Sequence, residues 1–285
     1  MKYVLLVLLL VFSACATASG MGDDFIARRE ITVVSREPGS GTRGAFIQML
    51  GIEVVDGESI RDTTSIRSEV ANSTNMVITS VTNNPYAIGY ISLGTLTNAV
   101  KSLSIEGVSA NAQTVTDGLY PIFRAFELVV TDNLSPLALD FIDFILSETG
   151  QNFAIERGYV PVGGAVTYVP SEQQGTLVVM GSTSVAPLMG QIAEAYEAIH
   201  PNVTIQLQIS GSSAGIQAAI NGTADIGMTS RPLTETELEQ LSAFYIAFDA
   251  LVIITHPYNP LNDISREQIR QIFIGEITHW HELID

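Results

Sequence analysis

The sequence predicts an α/β protein in which strands, largely of parallel sheets, alternate with helices along most of the chain. Short apolar runs typical of strands recur, amphipathic runs typical of helices separate them, and turns rich in Gly, Ser and Thr link the two. At 285 residues the chain suits one large domain or two lobes of about 120 to 140 residues each. An apolar content of 46% supports a buried core.

Strand and helix signals alternate from residue 31 onward. Predicted strands span residues 31–34, 86–92, 126–131, 176–180, 203–209 and 245–254. Predicted helices span residues 42–50, 135–156, 185–199, 213–221, 234–242 and 265–273. Pro187 early in its helix and Gly222 just after another fit the usual residues at helix starts and ends. The stretch 158–175, with two Pro and four Gly, is typical of a surface connection.

The charge balance restricts the class of partner. The chain has 13 Lys and Arg against 30 Asp and Glu, which gives a formal net charge of −17. Nucleic acids and anionic lipid surfaces require basic patches, so we expect no nucleic-acid partner. A buried site for a small anion remains compatible, because it depends on local dipoles and surface charge is screened beyond about 10 Å.

A targeting segment is predicted at residues 1–15. Lys2 supplies the basic end, residues 3–12 the apolar run, and a Ser-Ala pair precedes Cys15. The run is shorter than the roughly 20 residues of a membrane-spanning helix. Cys15, the one cysteine of the chain, resembles the lipidated cysteine of a bacterial lipoprotein signal, and residues 16–25 resemble a tether. An ordinary secretory signal with an incidental cysteine is the alternative.

Three short turns rich in Gly, Ser and Thr lie at residues 39–42, 181–184 and 211–213. Each follows a predicted strand and opens a predicted helix. A helix start presents free N–H groups and partial positive charge, and Gly lets an anion approach the backbone closely. Ser and Thr also cap ordinary helices, which is the alternative for any single turn. Three such turns together predict a site for a tetrahedral oxyanion.

Several segments resemble motifs of the phosphate-binding proteins of phosphate ABC transporters, across nearly all of residues 26–285. They are VVSREPGSGTR at 33–43, NPYAIGY at 84–90, GYVP at 158–161, GSTSVAP at 181–187, GSSAG at 211–215 and ADIGMTSR at 224–231. The resemblance implies a two-lobed periplasmic-binding-protein type II fold, the Venus flytrap. It also implies an extracytoplasmic, lipid-anchored receptor that traps inorganic phosphate and delivers it to ABC permease and ATPase subunits. No cofactor and no enzymatic activity are expected.

The order of these segments differs from the family pattern. The family begins with the GSTS, GSSAG and ADIG segments and ends at GYVP, whereas here its second part occupies residues 26–162 and its first part 172–285. The sequence therefore predicts a circularly permuted chain whose old ends are joined through 163–175. A fragment of a tandem duplication or a gene-model error is the alternative.

The family template also predicts the division into lobes. One lobe combines residues 26–120 with 257–285, and the other is continuous over 121–256. Chain termini at exposed loops are well tolerated, so such a rearrangement is physically plausible.

By resemblance, Arg36 is the cationic clamp, since a guanidinium can hold two phosphate oxygens at once. A surface ion pair between Arg36 and Glu37 is the alternative. Hydroxyl and backbone N–H donors would come from both lobes. The resemblance assigns this role to Ser40, Gly41, Thr42, Thr183, Ser184 and Ser212. Helix capping is the alternative for the hydroxyl turns.

One residue departs from the family pattern. Ser230 stands where many members carry an Asp that accepts the proton of hydrogen phosphate. Sulfate has no such proton, so the acceptor supports discrimination between the two anions. Ser230 can accept a hydrogen bond but does not repel sulfate by charge, and its neighbour Arg231 is either a second anion contact or a solvated charge.

No enzymatic site is predicted, because no His lies in a motif suited to activating a serine. His279 and His281 flank Trp280 without further ligands, which is weak support for a metal, and we expect none. Asp225 is expected to stabilise its loop. Two functions remain as alternatives: binding of sulfate, molybdate or tungstate, and phosphate sensing or adhesion without transport.

Overall fold

A computed structural model describes residues 25–56 and 59–284. The predicted signal segment, Cys15 and nearly all of the predicted tether lie outside the described residues. Strands and helices alternate along the described chain, as an α/β protein requires. None of the helices in this part of the chain has both the length and the apolar content that a bilayer crossing requires.

The strands and helices are numbered in chain order. The strands are β1 Thr32–Arg36, β2 Glu53–Asp56, β3 Ser59–Asp62, β4 Glu69–Ala71, β5 Ala87–Ser92, β6 Lys101–Ser102, β7 Ser104–Ile105, β8 Phe123–Val130, β9 Val160–Pro161, β10 Gly175–Gly181, β11 Val203–Ile209, β12 Ile226–Thr229, β13 Ser242–Thr255 and β14 Asp263–Ile264. The helices are α1 Gly41–Met49, α2 Thr74–Asn83, α3 Ala112–Thr116, α4 Pro136–Leu146, α5 Glu148–Glu156, α6 Ala186–Ile199, α7 Ser212–Ile220, α8 Glu235–Leu238 and α9 Arg266–Ile274.

Two large apolar cores lie side by side. The first core takes its buried residues from Ile31 to Ile122 and again from Ala250 to Trp280. The second core takes them from the intervening stretch, Phe126 to Ala247. The chain passes between the two cores along β8 and β13, and β13 contributes residues to both. Each core is large enough to hold its part of the chain together as a separate packing unit.

A ten-stranded sheet runs through both cores. Eight of its strands lie in the order β11-β10-β12-β8-β13-β5-β1-β4, and β6 and β9 each pair with β13. The outer groups β11-β10-β12 and β5-β1-β4 are parallel. In the centre, β8 and β13 run antiparallel to each other and to their outer neighbours. The prediction of largely parallel sheets is therefore wrong in the centre, because β8 and β13 cross between cores in opposite directions instead of returning through a helix.

The predicted helix 135–156 is two helices, α4 and α5, that meet at Ser147. Ser147 has extended backbone angles, its Oγ accepts from the N–H of Gly150 and donates to the carbonyl of Phe144, and these bonds cap both helices. A Cβ on Gly150 would lie 2.3 Å from that carbonyl oxygen. The single-helix prediction is wrong because side-chain capping replaces one turn of backbone bonding.

The predicted helix 234–242 is also too long, since α8 ends at Leu238 and β13 begins at Ser242. Residues 242–245 pair with β8, so sheet pairing takes over from the local helical preference. The strand predicted at 245–254 therefore begins earlier in the structure, at Ser242.

The two ends of the described chain lie against each other. The N–H of Ile31 donates to the carbonyl of Thr278 at 2.7 Å, and the N–H of His281 donates to Ala27 at 2.6 Å. The rings of Phe25 and Trp280 meet edge to face. The segment before β1 and the segment after α9 are therefore antiparallel neighbours on the first core.

Candidate functional site

The three Gly/Ser/Thr turns meet where the two cores face each other. The first turn connects β1 to α1, the second connects β10 to α6, and the third connects β11 to α7. Gly41, at the start of α1, packs so tightly that a Cβ there would lie 2.2 Å from the Oγ of Ser212. The N–H of Ser213 donates to the carbonyl of Gly39 at 3.1 Å. Only glycine at position 41 allows the turns of the two cores to approach this closely.

Arg36 ends β1 and is buried between the cores, with 1% of its surface exposed. Its Nε and Nη2 donate to the two carboxylate oxygens of Glu37, each at 2.7 Å. Nη1 donates to the Oγ1 of Thr74 at 3.3 Å, and Nη2 to the Oγ1 of Thr183 at 3.0 Å. A guanidinium has five N–H donors, so one Nη1 hydrogen has no partner among the described residues.

The ion pair between Arg36 and Glu37 therefore exists, but it is not the surface pair considered as the alternative. The Nη2 of Arg36 donates both to Glu37 and to Thr183 of the second core. Bound in this way, the guanidinium is held in one orientation, which favours geometric recognition of an anion.

One group of hydroxyls joins the two cores beside Arg36. The Oγ1 of Thr42 lies 2.8 Å from the Oγ of Ser184, and the Oγ1 of Thr74 lies 3.5 Å from the same atom. All three side chains are buried. Because hydroxyls both donate and accept, this group can turn its donors toward an anion without leaving an unpaired polar atom.

A second group of hydroxyls lies on the side of the second core, against Gly41 of the first. Ser182 donates to the Oγ of Ser230 at 2.9 Å, and Ser212 lies 3.4 Å from it. The N–H of Ser230 donates to the Oγ of Ser212 at 3.2 Å. Each of the three is at most 2% exposed. The bonds bring Ser230 next to Ser212, another predicted ligand, while its role toward an anion stays a prediction.

Ser40 has a different local role from the other predicted residues. It is the N-cap of α1, and its Oγ accepts from the N–H of Arg43 at 3.3 Å. Helix capping, the alternative interpretation of the turns, therefore describes the Ser40 side chain. Its anion-binding role stays a prediction, as do those of the other seven residues.

Arg231 is paired with Glu237, so it is not a freely solvated charge, and a contact with the anion stays a prediction. Its guanidinium forms two 2.8 Å hydrogen bonds with the carboxylate of Glu237 and reaches the Oγ of Ser213 at 3.4 Å. These bonds lower the pKa of Glu237 although burial opposes them. Burial raises the pKa of nearby Glu127 to about 7, partly offset by Arg231.

Several residues that support the site were missed from sequence. Arg43 donates to the carbonyl of Arg36 at 2.6 Å and to Ser35, while its Nε is held by Asp62. The hydroxyl of Tyr90 accepts from the N–H of Arg36 at 3.1 Å. Arg43 directly follows the first turn, so its position could have drawn attention, whereas nothing local to Tyr90 indicates its contact.

Thr74 was also missed, together with the helix α2 that it begins. Ser73 caps α2 by accepting from the N–H of Met76, which is the start signal that the sequence offered.

The pair Arg124 and Asp249 has no local signal. Burial raises the pKa of Asp249 to about 6, opposed by Arg124, whose Nη1 donates to the carbonyl of Ser230 at 3.2 Å.

The histidines and Asp225 have structural partners. The Nδ1 of His279 lies 2.9 Å from the Oγ1 of Thr278 and 3.9 Å from Glu282. Asp225 accepts from the N–H of Val178 at 2.7 Å, which stabilises its loop as expected. In residues 25–56 and 59–284, the structure brings together no group of three or more His, Cys, Asp or Glu side chains suited to a metal ion.

Comparison with known proteins decides the family. The sequence matches the PBP superfamily domain over residues 21–149 and 167–284. The chain belongs to this superfamily. It is 43% identical over 257 residues to phosphate-binding protein PstS 2 of Streptococcus agalactiae, covering 89% of this chain and 87% of the relative. It is 44% identical over 254 residues to PstS 2 of Streptococcus pneumoniae, with the same coverage of 89% and 87%.

A solved structure extends the comparison to the fold of this PBP superfamily member. The crystal structure of a phosphate ABC transporter, phosphate-binding protein from Streptococcus pneumoniae aligns with a TM-score of 0.74 at 43% identity. The alignment covers 90% of this chain and 100% of that structure. The predicted resemblance and the two-lobed periplasmic-binding-protein fold are thereby confirmed. The permuted order of the segments stays a prediction.

Proposed function

We propose that this chain captures inorganic phosphate between its two lobes and presents it to the permease and ATPase subunits of an ABC importer, without catalysing a reaction. The observation that carries the proposal is the buried guanidinium of Arg36, bonded to Glu37 of its own lobe and to Thr183 of the other. The streptococcal relatives named as phosphate-binding proteins support the same ligand. Members of this class act outside the cytoplasm, and we assign this chain to that location.

The proposed ligands come from both sides of the cleft. Arg36 supplies the charge, and the start of α1 supplies the N–H groups and hydroxyls of Ser40, Gly41 and Thr42. The opposite side supplies hydroxyls from four residues. These are Thr183, Ser184, Ser212 and Ser230. Because donors from two lobes converge on one small anion, binding and lobe closure form a single two-state event.

The proposed lobes are residues 26–120 with 257–285, and residues 121–256. The two separate apolar cores support a division into two lobes. Core membership changes between Ile122 and Phe126, close to the first proposed boundary, and again between Ala247 and Ala250. Residues 250–254 therefore pack with the first core, and the second boundary lies several residues before the proposed one at 256/257. Cross-lobe bonds such as Thr42 to Ser184 are then the contacts that closure forms.

We also propose that the chain is circularly permuted relative to the family pattern and lipid-anchored at Cys15. Antiparallel contact between residues 27–31 and 278–281 supports the permutation, because the family pattern joins these two segments directly. The anchor rests on the signal-like residues 1–15 alone. Replacing Cys15 with Ser should move the protein from the membrane fraction to the soluble fraction, and unchanged fractionation would contradict the anchor.

Another oxyanion is a second candidate ligand, favoured by one observation. Ser230 presents a hydroxyl, bonded to Ser182 and Ser212, where a carboxylate would reject fully ionised sulfate. Calorimetric titration of the purified chain with phosphate, sulfate and molybdate separates the candidates. Phosphate binding at least tenfold tighter than sulfate supports the first proposal, and equal or tighter sulfate binding overturns it.

A further inference from the structure

The start of α2 brings a polar side chain to Arg36 that none of the three Gly/Ser/Thr turns contains. Thr74 is the first residue of α2, and Ser73 caps the helix. Thr74 is buried, with 4% of its surface exposed, and its Oγ1 accepts from the Nη1 of Arg36 at 3.3 Å. Both residues belong to the first lobe, so this bond does not depend on lobe closure.

The Thr74 hydroxyl has one hydrogen to donate, and Arg36 restricts where it can point. A guanidinium only donates, so Thr74 accepts from Arg36 and must direct its own hydrogen elsewhere. The neighbouring hydroxyl oxygen, that of Ser184 in the second lobe, lies 3.5 Å away, which is long for an O–H···O bond. The hydrogen is therefore available to an anion oxygen beside Arg36.

The charges at the start of α2 also favour an anion. A helix start carries partial positive charge, and α2 has no acidic residue in its first turn. The guanidinium of Arg36 lies against this end, although a cation and a helix start repel each other. Glu37 binds the guanidinium through Nε and Nη2, so among the described residues no carboxylate is bonded to Nη1. An anion at Nη1 would be attracted both by Arg36 and by the start of α2.

We propose that Thr74 is a further ligand of the oxyanion: its hydroxyl, oriented by Arg36, donates to an anion oxygen, and the start of α2 adds its partial positive charge. The inference rests on the anion-binding function proposed above and adds a ligand from the first lobe. The Oγ1 atoms of Thr42 and Thr74 lie 2.8 and 3.5 Å from the Oγ of Ser184. The starts of α1 and α2 therefore converge with Arg36 on one point of the second lobe.

Thr74→Val tests this role, because it removes the hydroxyl and keeps the shape of the side chain. Thr74→Ser keeps the hydroxyl and loses only a methyl group. Thr79→Val is the matched control, since Thr79 lies on the same helix, is exposed, and donates to the carbonyl of Asn75. It reports the effect of Val on the helix itself.

Equilibrium dialysis with radiolabelled phosphate measures the affinity, and circular dichroism checks the folding of each variant. We expect Thr74→Val to weaken binding by at least about tenfold, because a hydrogen bond to a charged group is lost. Thr74→Ser should stay within about threefold of wild type, and Thr79→Val within about twofold. If Val at position 74 disrupts folding, Thr74→Ala removes the same hydroxyl with a residue that favours a helix.

A second comparison separates a ligand from a residue that only positions Arg36. Thr74→Val is combined with Arg36→Ala, and its effect is measured against Arg36→Ala alone. A residue that acts only through Arg36 has no effect in that chain, whereas we expect a direct donor still to change the affinity by at least about threefold.

The role of Thr74 is overturned by wild-type affinity in Thr74→Val, by an equal loss in Thr74→Ser or Thr79→Val, or by no loss in the Arg36→Ala chain. Each of these results leaves the proposed function intact. If the wild-type chain binds sulfate or molybdate but not phosphate, the phosphate proposal fails, and the same variants compared with that anion still test Thr74. If no oxyanion binds, both proposals are overturned.

Discussion

Arg124 and Asp249 form a fully buried ion pair that joins the two strands crossing between the lobes. The Nε and Nη2 of Arg124 on β8 donate to the Oδ2 of Asp249 on β13, at 3.1 and 3.0 Å. The Oδ1 of Asp249 accepts from the Oγ of Ser92 and the N–H of Leu93 in the first lobe. Because Arg124 also holds the carbonyl of Ser230, this network connects the loop of a predicted ligand to both lobes.

Removing one partner of this pair should be costly, since it leaves the other charge buried and unpaired. We expect Asp249→Asn to lower the free energy of unfolding by about 3–5 kcal/mol, measured by urea denaturation. Apolar replacement of both partners often restores stability. The double variant Arg124→Met, Asp249→Leu should therefore be more stable than Asp249→Asn yet bind phosphate more weakly, because Ser230 loses its support. Full affinity in a stable double variant would contradict the positioning role.

Glu127 should make stability depend on pH. Burial raises its pKa from 4.5 to about 7, so the folded state binds the proton more tightly than the unfolded state between these values. Stability from this group is therefore present below pH 4.5 and lost as the pH rises through 7. At pH 8, Glu127→Gln should be more stable than wild type by about 1–3 kcal/mol, and the two should converge near pH 4. A constant difference between urea curves across this range would be inconsistent with titration of Glu127.

Arg36 should dominate anion affinity. Charged hydrogen bonds contribute about 1.5–3 kcal/mol, so Arg36→Ala should weaken phosphate binding by well over tenfold in calorimetry. Arg36→Lys keeps the charge but loses the two-pronged contact, and we expect an intermediate affinity. Circular dichroism controls for folding, because Glu37 loses its partner in the alanine variant. Wild-type affinity in Arg36→Ala would place the anion elsewhere.

Ser230 should set the discrimination between phosphate and sulfate. Ser230→Asp introduces a carboxylate that accepts a hydrogen bond from the P–OH of hydrogen phosphate and repels sulfate, so the ratio of the two affinities should shift toward phosphate by at least tenfold. Ser230→Asn is the matched control, because it has the same shape without the charge. If both variants shift the ratio equally, size and not charge controls the preference.

The family order of the segments should also support folding and binding. A rearranged chain would begin at Gly175, join Ile284 to Phe25 by a turn of a few residues and end at residue 162. The antiparallel contact of residues 27 and 281 makes this junction short. We expect the rearranged chain to bind phosphate within about tenfold of the original, by calorimetry, because the contacts of the site are kept. A chain that folds by circular dichroism but does not bind would contradict the proposed equivalence of the two orders.

Local sequence signals predicted the outline of the fold well. Residues 203–209 form β11 as predicted, and α6 and α9 fall within one residue of their predicted ranges, because periodic apolar residues and capping residues lie within each segment. The break at Ser147 and the end of α8 were missed. At each of these two positions, other hydrogen bonds replace those of a continuous helix: the side-chain bonds of Ser147 in one case and the pairing of β13 with β8 in the other. Tertiary packing decides which set of bonds forms.

For the candidate site, too, some features follow from the sequence alone and others only from the tertiary structure. The sequence by itself determined which residues are the candidates for its chemistry, because the Arg36 segment and the three turns are contiguous motifs whose hydroxyl, N–H and guanidinium groups can be read directly. Only the tertiary structure decided how they combine: that Glu37 holds Arg36 within reach of Thr183, that Thr74 joins them, and that Arg124 with Asp249 supports Ser230. These contacts link residues far apart in the chain, and long-range contacts arise from the packing of two cores, which no local pattern encodes.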